Sequence, residues 1–154
     1  MSTITLQLIT YDNFDTIIKM SDTLTPYQKR CVAPNLYSIA EAYLNLDNAW
    51  PRAIYLDDQP IGFIMIDLNP EHIPKDENAY YLWRFMISEP HQNKGYGKAA
   101  LNLIIDKCRK DQKSVLYTSC AMEGDLPYQF YLNYGFVDTG VLDGDEEVLT
   151  LKIK

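Results

Sequence analysis

Residues 79–108 join two segments of opposite periodicity, and that junction restricts the fold more than any other stretch of the chain. Ala79–Ile87 is an almost unbroken apolar and aromatic run, the composition of a central strand covered on both faces. A polar loop follows over 88–94. Gly97, Ala100, Leu101, Ile104, Ile105 and Cys108 then recur at helical spacing, and Lys107, Arg109 and Lys110 sit at the end of the helix dipole that favours positive charge. A covered strand running into an amphipathic helix belongs to a mixed α/β layer structure.

The rest of the chain extends the same alternation. Residues 3–9 place Ile4, Leu6 and Leu8 on one face, the period of a half-buried strand. Asp12 or Asn13 is placed to cap a helix carrying Phe14, Ile17, Ile18 and Met20. Leu36, Ile39, Ala40, Tyr43 and Leu44 predict a second helix after Pro34, ended by Pro51. Residues 53–56 and 61–68 flank the turn Asp57-Asp58-Gln59-Pro60 as a hairpin, and 69–78 reads as a loop. Beyond the central helix, 114–121 is a strand and 127–134 a short helix stopped by Gly135. The segments 136–142 and 148–153 form a last hairpin around Asp143-Gly144-Asp145. The predicted order is βααβββαβαββ in one domain, residues 1–154, with no linker.

Composition narrows the function. The 154 residues are 47% hydrophobic and can bury a core without metal or disulfides. With 14 basic and 21 acidic residues the net charge is −7, which argues against phosphate-backbone or anionic-lipid partners and suits a small cationic one. Cys31, Cys108 and Cys120 are odd in number and widely spaced, as in a reduced cytoplasmic chain. His72 and His91 stand apart from them, so no metal site assembles from near neighbours. The start of the chain lacks the basic and apolar pattern of a signal segment, and no stretch approaches the roughly 20 apolar residues of a membrane span.

The turn between strand and helix, Gln92-Asn93-Lys94-Gly95-Tyr96-Gly97-Lys98, is the richest candidate for ligand binding. Its glycines let backbone approach a ligand closely, and the first helical turn offers unpaired N–H groups and the positive end of the dipole, a fit for pyrophosphate. The same turn also serves as an unliganded strand-to-helix connection. A Walker A loop fails twice, at Gln92 and at Ala99. Gly95, Gly97 and Ala100 match a dinucleotide fingerprint in spacing. The intervening loop and the apolar strand around Tyr117, where an acidic residue is needed, set that reading aside.

Phe85-Met86-Ile87, Gln92-x-x-Gly95-x-Gly97 and the downstream Phe130-Tyr131-x-x-x-Gly135-Phe136 together resemble the signature of the GCN5-related N-acetyltransferase (GNAT) family. Val32-Ala33-Pro34-Asn35-x-x-Ser38-x-x-Glu41-Ala42-Tyr43 and Leu82-Trp83-Arg84-Phe85-Met86-Ile87 are similar to its bacterial spermine/spermidine acetyltransferases. The resemblance implies a single mixed, mostly antiparallel sheet flanked by helices, whose splayed central strand binds the cofactor arm. It implies acetyl-CoA as cosubstrate, with no metal. Backbone of Phe85, Met86 and Ile87 would pair with the pantetheine arm, Gln92, Asn93, Lys94, Gly95, Tyr96, Gly97 and Lys98 would wrap the pyrophosphate, and Tyr128 would also touch the cofactor. Tyr131 falls at the family's general acid; a phenol near pKa ~10 stays protonated at neutral pH and can donate to a thiolate whose acid lies near ~8.5.

The attacking nitrogen poses a harder question. An alkylammonium near pKa ~10.4 must lose a proton, at a cost of roughly 4 to 5 kcal/mol at neutral pH. Many family members carry a Glu on the central strand, yet residues 79–88 contain no carboxylate. Mammalian spermidine/spermine acetyltransferases have acidic residues where Trp83 and Arg84 stand here. Glu41 is the candidate substrate carboxylate or relay partner, with Asp67 as a second. Tyr37, Tyr43, Tyr80 and Tyr81 are candidates to enclose an alkylammonium chain, with ordinary packing as the alternative. The acidic run 143–147 reads as a solvated hairpin tip that could attract polycations. Cys120, in an apolar strand without a nearby His, reads as a buried thiol. The expectation is a cytoplasmic enzyme moving acetyl from acetyl-CoA to a small cationic amine, a polyamine such as spermine or spermidine, with a homodimer by analogy. The alternatives are acetylation of a protein N-terminus, a lysine or an aminoglycoside, or a CoA-binding regulatory domain without turnover.

Overall fold

Along the strand Gln59–Asp67 the side chains alternate between two cores. Phe63 and Met65 pack into one, Ile64 and Ile66 into the other, and all four are fully buried. A strand with water on neither face must sit inside a three-layer stack. The computed structural model describes residues 2–75, 77–121 and 126–154, with Leu126 by its backbone alone; Asp76, inside the loop expected over 69–78, lies outside the described residues.

The strands are β1 (Ile4–Gln7), β2 (Ala49–Leu56), β3 (Gln59–Asp67), β4 (Ala79–Ile87), β5 (Val115–Cys120), β6 (Val137–Asp143) and β7 (Glu146–Lys152). The α-helices are α1 (Phe14–Lys19), α2 (Pro26–Cys31), α3 (Asn35–Tyr43), α4 (Tyr96–Lys110) and α5 (Leu126–Tyr134). One seven-stranded sheet runs β1-β2-β3-β4-β5-β7-β6. Every pair is antiparallel except β4 with β5, where α4 makes the crossover. The mixed, mostly antiparallel α/β sheet is the one expected. Helix α4 buries Ala100, Leu101, Ile104, Ile105 and Cys108 on one face of the sheet. Each large aliphatic among them contributes roughly 1.5 to 3 kcal/mol of burial free energy. Helices α1 and α3 cover the opposite face through Ile17 and Ala42, beside Phe63, Met65 and Met86.

Three local expectations need correction. Helix α2 is absent from the expected order, although its start is written in the sequence: Thr25 caps it, Pro26 occupies its first turn, and Gln28 closes a capping box with Thr25. Pro51 does not end a helix. Helix α3 stops at Tyr43, where Asn45 donates from its amide to the Glu41 carbonyl at 2.9 Å. Pro51 lies within β2, two residues before the stretch that β1 pairs, so its missing N–H leaves no gap in the β1 ladder. Asn13 does stand at the N-cap of α1, but its side chain makes no cap bond; it accepts from Thr10 N and donates to Leu8 O and Tyr55 Oη.

Candidate active site

The parallel ladder between β4 and β5 runs from Ala79↔Val115 to Leu82↔Thr118 and stops, although β4 continues to Ile87. The cause is local. On its other edge β4 pairs Leu82 with Ile66 and Arg84 with Met65, so Trp83 is an extra residue with no partner. Such a bulge bends the strand, and β4 follows β3 away from β5. Thr118 Oγ1 donates to Leu82 O at 3.1 Å and closes the last rung. Past it, β4 presents backbone to a cleft of about 1010 Å³ that Phe85, Met86 and Ile87 line.

This cleft reaches both faces of the sheet. On the α4 and α5 side it is bordered by Gly95, Gly97, Lys98, Phe130 and Tyr131; on the other by Tyr81, Ser119 and Glu146. Two molecules entering from opposite sides would meet at the split, beside Tyr131.

The turn into α4 is shaped for close approach. Asn93 and Gly95 both have positive φ, 62° and 84°, and Gly95 occupies the N-cap with no side chain capping the helix. A Cβ at Gly95 would meet nothing within 4 Å, so the space above this backbone is open, and the first-turn N–H groups of a 15-residue helix face it. Asn93 and Lys98 line the cleft here. Lys94, Tyr96 and Tyr128 are not among its lining side chains. The Tyr128 phenol instead donates to Asp138 Oδ2 at 2.8 Å. Gln92 lines the cleft, but its amide is a clasp: Nε2 donates to Ile87 O at 2.8 Å, and Gln28 Nε2 on α2 donates to its Oε1 at 2.9 Å.

Tyr131 projects from α5 to the split and is held by edge-on contacts with Phe130 and Phe136, ring centroids 5.5 and 5.3 Å away. Gly135, with φ 129°, ends α5, and Phe136 N donates back to Tyr131 O at 2.9 Å. Burial pushes the phenol well above its ordinary value, so it stays protonated over the whole physiological range. Cys120 lines the same cleft, but burial, with the charge of Glu146 next, raises its thiol to about 12. A thiol of that kind is no nucleophile at neutral pH.

The acidic candidates separate. The Glu41 carboxylate accepts from Arg84 Nη2 at 2.7 Å, and both side chains are mostly buried. It therefore neutralises a cation of the cleft wall and does not itself line the cleft. Asp67 lines the cleft at the end of β3, with Oδ1 accepting from Asn69 N. Tyr81 lines it as well, stacked on Tyr117 at 6.2 Å, whereas the exposed Tyr37 and Tyr43 and the buried Tyr80 do not. Of the acidic run 143–147, read from the sequence as a solvated hairpin tip that could attract polycations, Asp143 and Glu146 line the cleft. Strand parity was the available signal: 147, 149 and 151 alternate toward the α4 side, which leaves 146 on the other.

Comparison with known proteins bears out the fold. The sequence profile of the acetyltransferase (GNAT) family matches residues 19–136. Over 109 residues the chain is 30% identical to a spermine/spermidine N(1)-acetyltransferase of Bacillus subtilis, covering 66% of this chain and 68% of that protein. An acetyltransferase from Thermus thermophilus superposes with a TM-score of 0.76 at 19% identity, over 97% of both chains. A GNAT family acetyltransferase from Elizabethkingia anophelis with acetyl-CoA bound superposes at 0.66 and 15% identity, over 98% of this chain and 97% of that one. Among the described residues no helix is long and apolar enough to cross a membrane. With its central strand split from β5 at Leu82 and an open glycine turn leading into α4, the chain belongs to the GNAT acetyltransferase family.

Proposed function

We propose that the chain transfers the acetyl group of acetyl-CoA to a primary amine of a small polyamine. The observation that carries the reading is the through-sheet cleft at the β4–β5 split, with an anion cradle on one face and carboxylates on the other. On the α4 side, backbone N–H groups from Asn93 to Lys98 suit the pyrophosphate, and the unpaired edge of β4 from Phe85 to Ile87 suits the amide-bearing pantetheine arm as an added strand. The N–H of Ile87 is the oxyanion donor in this reading. The cation-binding half carries Asp67, Glu71, Asp143 and Glu146, and Arg84 on that wall is neutralised by Glu41. A net charge of −7 and the similarity to a spermine/spermidine acetyltransferase support the same acceptor class.

Chemically, the neutral amine attacks the thioester carbonyl directly and the C–S bond breaks as the tetrahedral adduct collapses. Tyr131 faces the departing sulfur. Its burial raises an acid already ~1.5 units weaker than a thiol, so outright transfer to the thiolate is uphill by more than about 2 kcal/mol. The phenol therefore holds the thiolate by a hydrogen bond and passes a proton only as the nitrogen releases one. The test is CoA thiol release from acetyl-CoA with spermine, spermidine, a short diamine, an aminoglycoside and an N-terminal peptide. Release driven by the polyamines is expected; release driven only by the peptide or the aminoglycoside overturns the acceptor class.

A further inference from the structure

An ammonium acceptor must lose a proton before it attacks, and β4 offers no carboxylate to take it. The cleft supplies one from another strand. Glu146 opens β7, and the Ser119 hydroxyl, one residue past the last β4–β5 rung, donates to its Oε1 at 3.1 Å. The side chain is half-buried and lines the cleft together with Tyr131. Its negative charge adds to burial in keeping the Tyr81 and Tyr131 phenols and the Cys120 thiol protonated. The hydrogen bond from Ser119 and the shared cleft wall with Tyr81 and Tyr131 place this carboxylate beside the split, at the mouth of the hairpin.

Among the described residues, Glu146 shares the cleft wall with Tyr81 on β4, Ser119 and Cys120 on β5, Tyr131 on α5 and its register partner Asp143 on β6. The ion pairs among the described residues are Arg84–Glu41, Lys107–Asp111 and Arg109–Asp106, and Glu146 belongs to none of them. A carboxylate held by one hydroxyl, opposite a second carboxylate and without a counterion, attracts an ammonium group.

Building on the amine-acetyltransferase reading above, we infer that Glu146 receives the attacking nitrogen of the acceptor and takes its proton, with Ser119 positioning the carboxylate. The ammonium gives one proton to Glu146, and the freed lone pair forms the C–N bond at the thioester carbon. Collapse breaks the C–S bond, its electron pair going to sulfur. The nitrogen's second proton reaches the thiolate by way of Tyr131, and Glu146 returns the first to solvent. The products are an amide, CoA thiol and one proton.

The experiment compares wild type, Glu146→Gln and Ser119→Ala by kcat/KM for spermidine across about pH 6 to 9, with acetyl-CoA affinity measured separately by calorimetry. The wild-type profile is flatter than the variant's, because Glu146 takes the proton from the ammonium, the acceptor's dominant form below about 10.4. Glu146→Gln reacts only with free amine, so its kcat/KM is about 100-fold lower at pH 7 and climbs about tenfold per pH unit. Ser119→Ala loses less and keeps the wild-type shape, and acetyl-CoA affinity stays within about twofold in both. An unaltered Glu146→Gln profile, a loss equal at every pH, or a matching loss of acetyl-CoA affinity overturns the assignment. If the wild type shows no amine-dependent release, the acetyltransferase reading falls and this inference with it; wild-type turnover beside an unaltered variant removes the inference alone.

Discussion

Replacing Gly62 by Ala tests whether the close approach of β3 to β4 sets the cofactor edge. In most strands this change is favourable by roughly 0.5 to 1 kcal/mol, since Gly loses more backbone entropy on folding. Here the sign reverses. A Cβ at position 62 would stand 2.5 Å from the backbone O of Met86, 3.0 Å from Ile87 Cδ1 and 3.2 Å from Ile54 Cδ1. An ordinary carbon–oxygen contact is about 3.3 Å, so β4 must retreat by about 0.8 Å at Met86. Overpacking of this kind costs about 1 to 3 kcal/mol, and at about 3 °C per kcal/mol for a domain this size the melting temperature falls by about 3 to 9 °C. The displaced segment is the edge assigned to the pantetheine arm, so acetyl-CoA affinity weakens about tenfold or more. Thermal unfolding and calorimetric titration of acetyl-CoA read the two effects. A melting temperature equal to or above wild type with unchanged affinity would refute the reasoning, because β4 would then be free to move without consequence.

Three further outcomes follow from particular contacts. Glu41→Gln leaves the Arg84 guanidinium uncompensated in the cleft wall; stability falls by about 1 to 3 kcal/mol in denaturant titration, and KM for spermidine rises while KM for acetyl-CoA does not. Cys108 and Cys120, raised to about 11 and about 12 by burial, resist alkylation at pH 7.5 in the native protein and react on unfolding, as intact mass spectrometry of labelled samples reads out. The Lys107 ammonium, followed by the Tyr80 phenol, holds Asp111 below the ordinary carboxylate value. A depressed folded-state pKa contributes stability above the unfolded value of about 3.9 that is lost as pH falls through the folded one. Asp111→Asn is therefore less stable than wild type at neutral pH, and the gap closes below about pH 4.

The frame of the fold was legible because it rests on period and punctuation. The apolar run Ala79–Ile87 and the helical stripe from Ala100 to Cys108 fix a covered strand and its crossover helix, and the structure realises both. What escaped was of two kinds. Helix α2 buries no residue of its own, so it leaves no apolar stripe; only Thr25-Pro26-x-Gln28 marks it, through capping. Pro51 misled because a proline stops a helix but also sits on a strand where the neighbouring ladder has ended, and only the register with β1 distinguishes the two. Of the residues named from spacing and resemblance, Phe85, Met86, Ile87, Gln92, Asn93, Gly95, Gly97, Lys98 and Tyr131 line the cleft, and Lys94, Tyr96 and Tyr128 do not. The electrostatics were not legible. That Glu41 is tied to Arg84, that Gln92 meets Gln28, and that Glu146 stands beside Ser119 all depend on which groups meet across more than 25 residues of chain.

The most direct test sets wild type and Tyr131→Phe side by side in steady-state CoA release from acetyl-CoA, with and without spermidine. The account predicts release that requires spermidine in the wild type. In the variant kcat should fall about 100-fold or more with KM for acetyl-CoA within about threefold, since only the phenol proton has been removed from a packed ring. Release that ignores spermidine, or equal kcat in the two proteins, would contradict it.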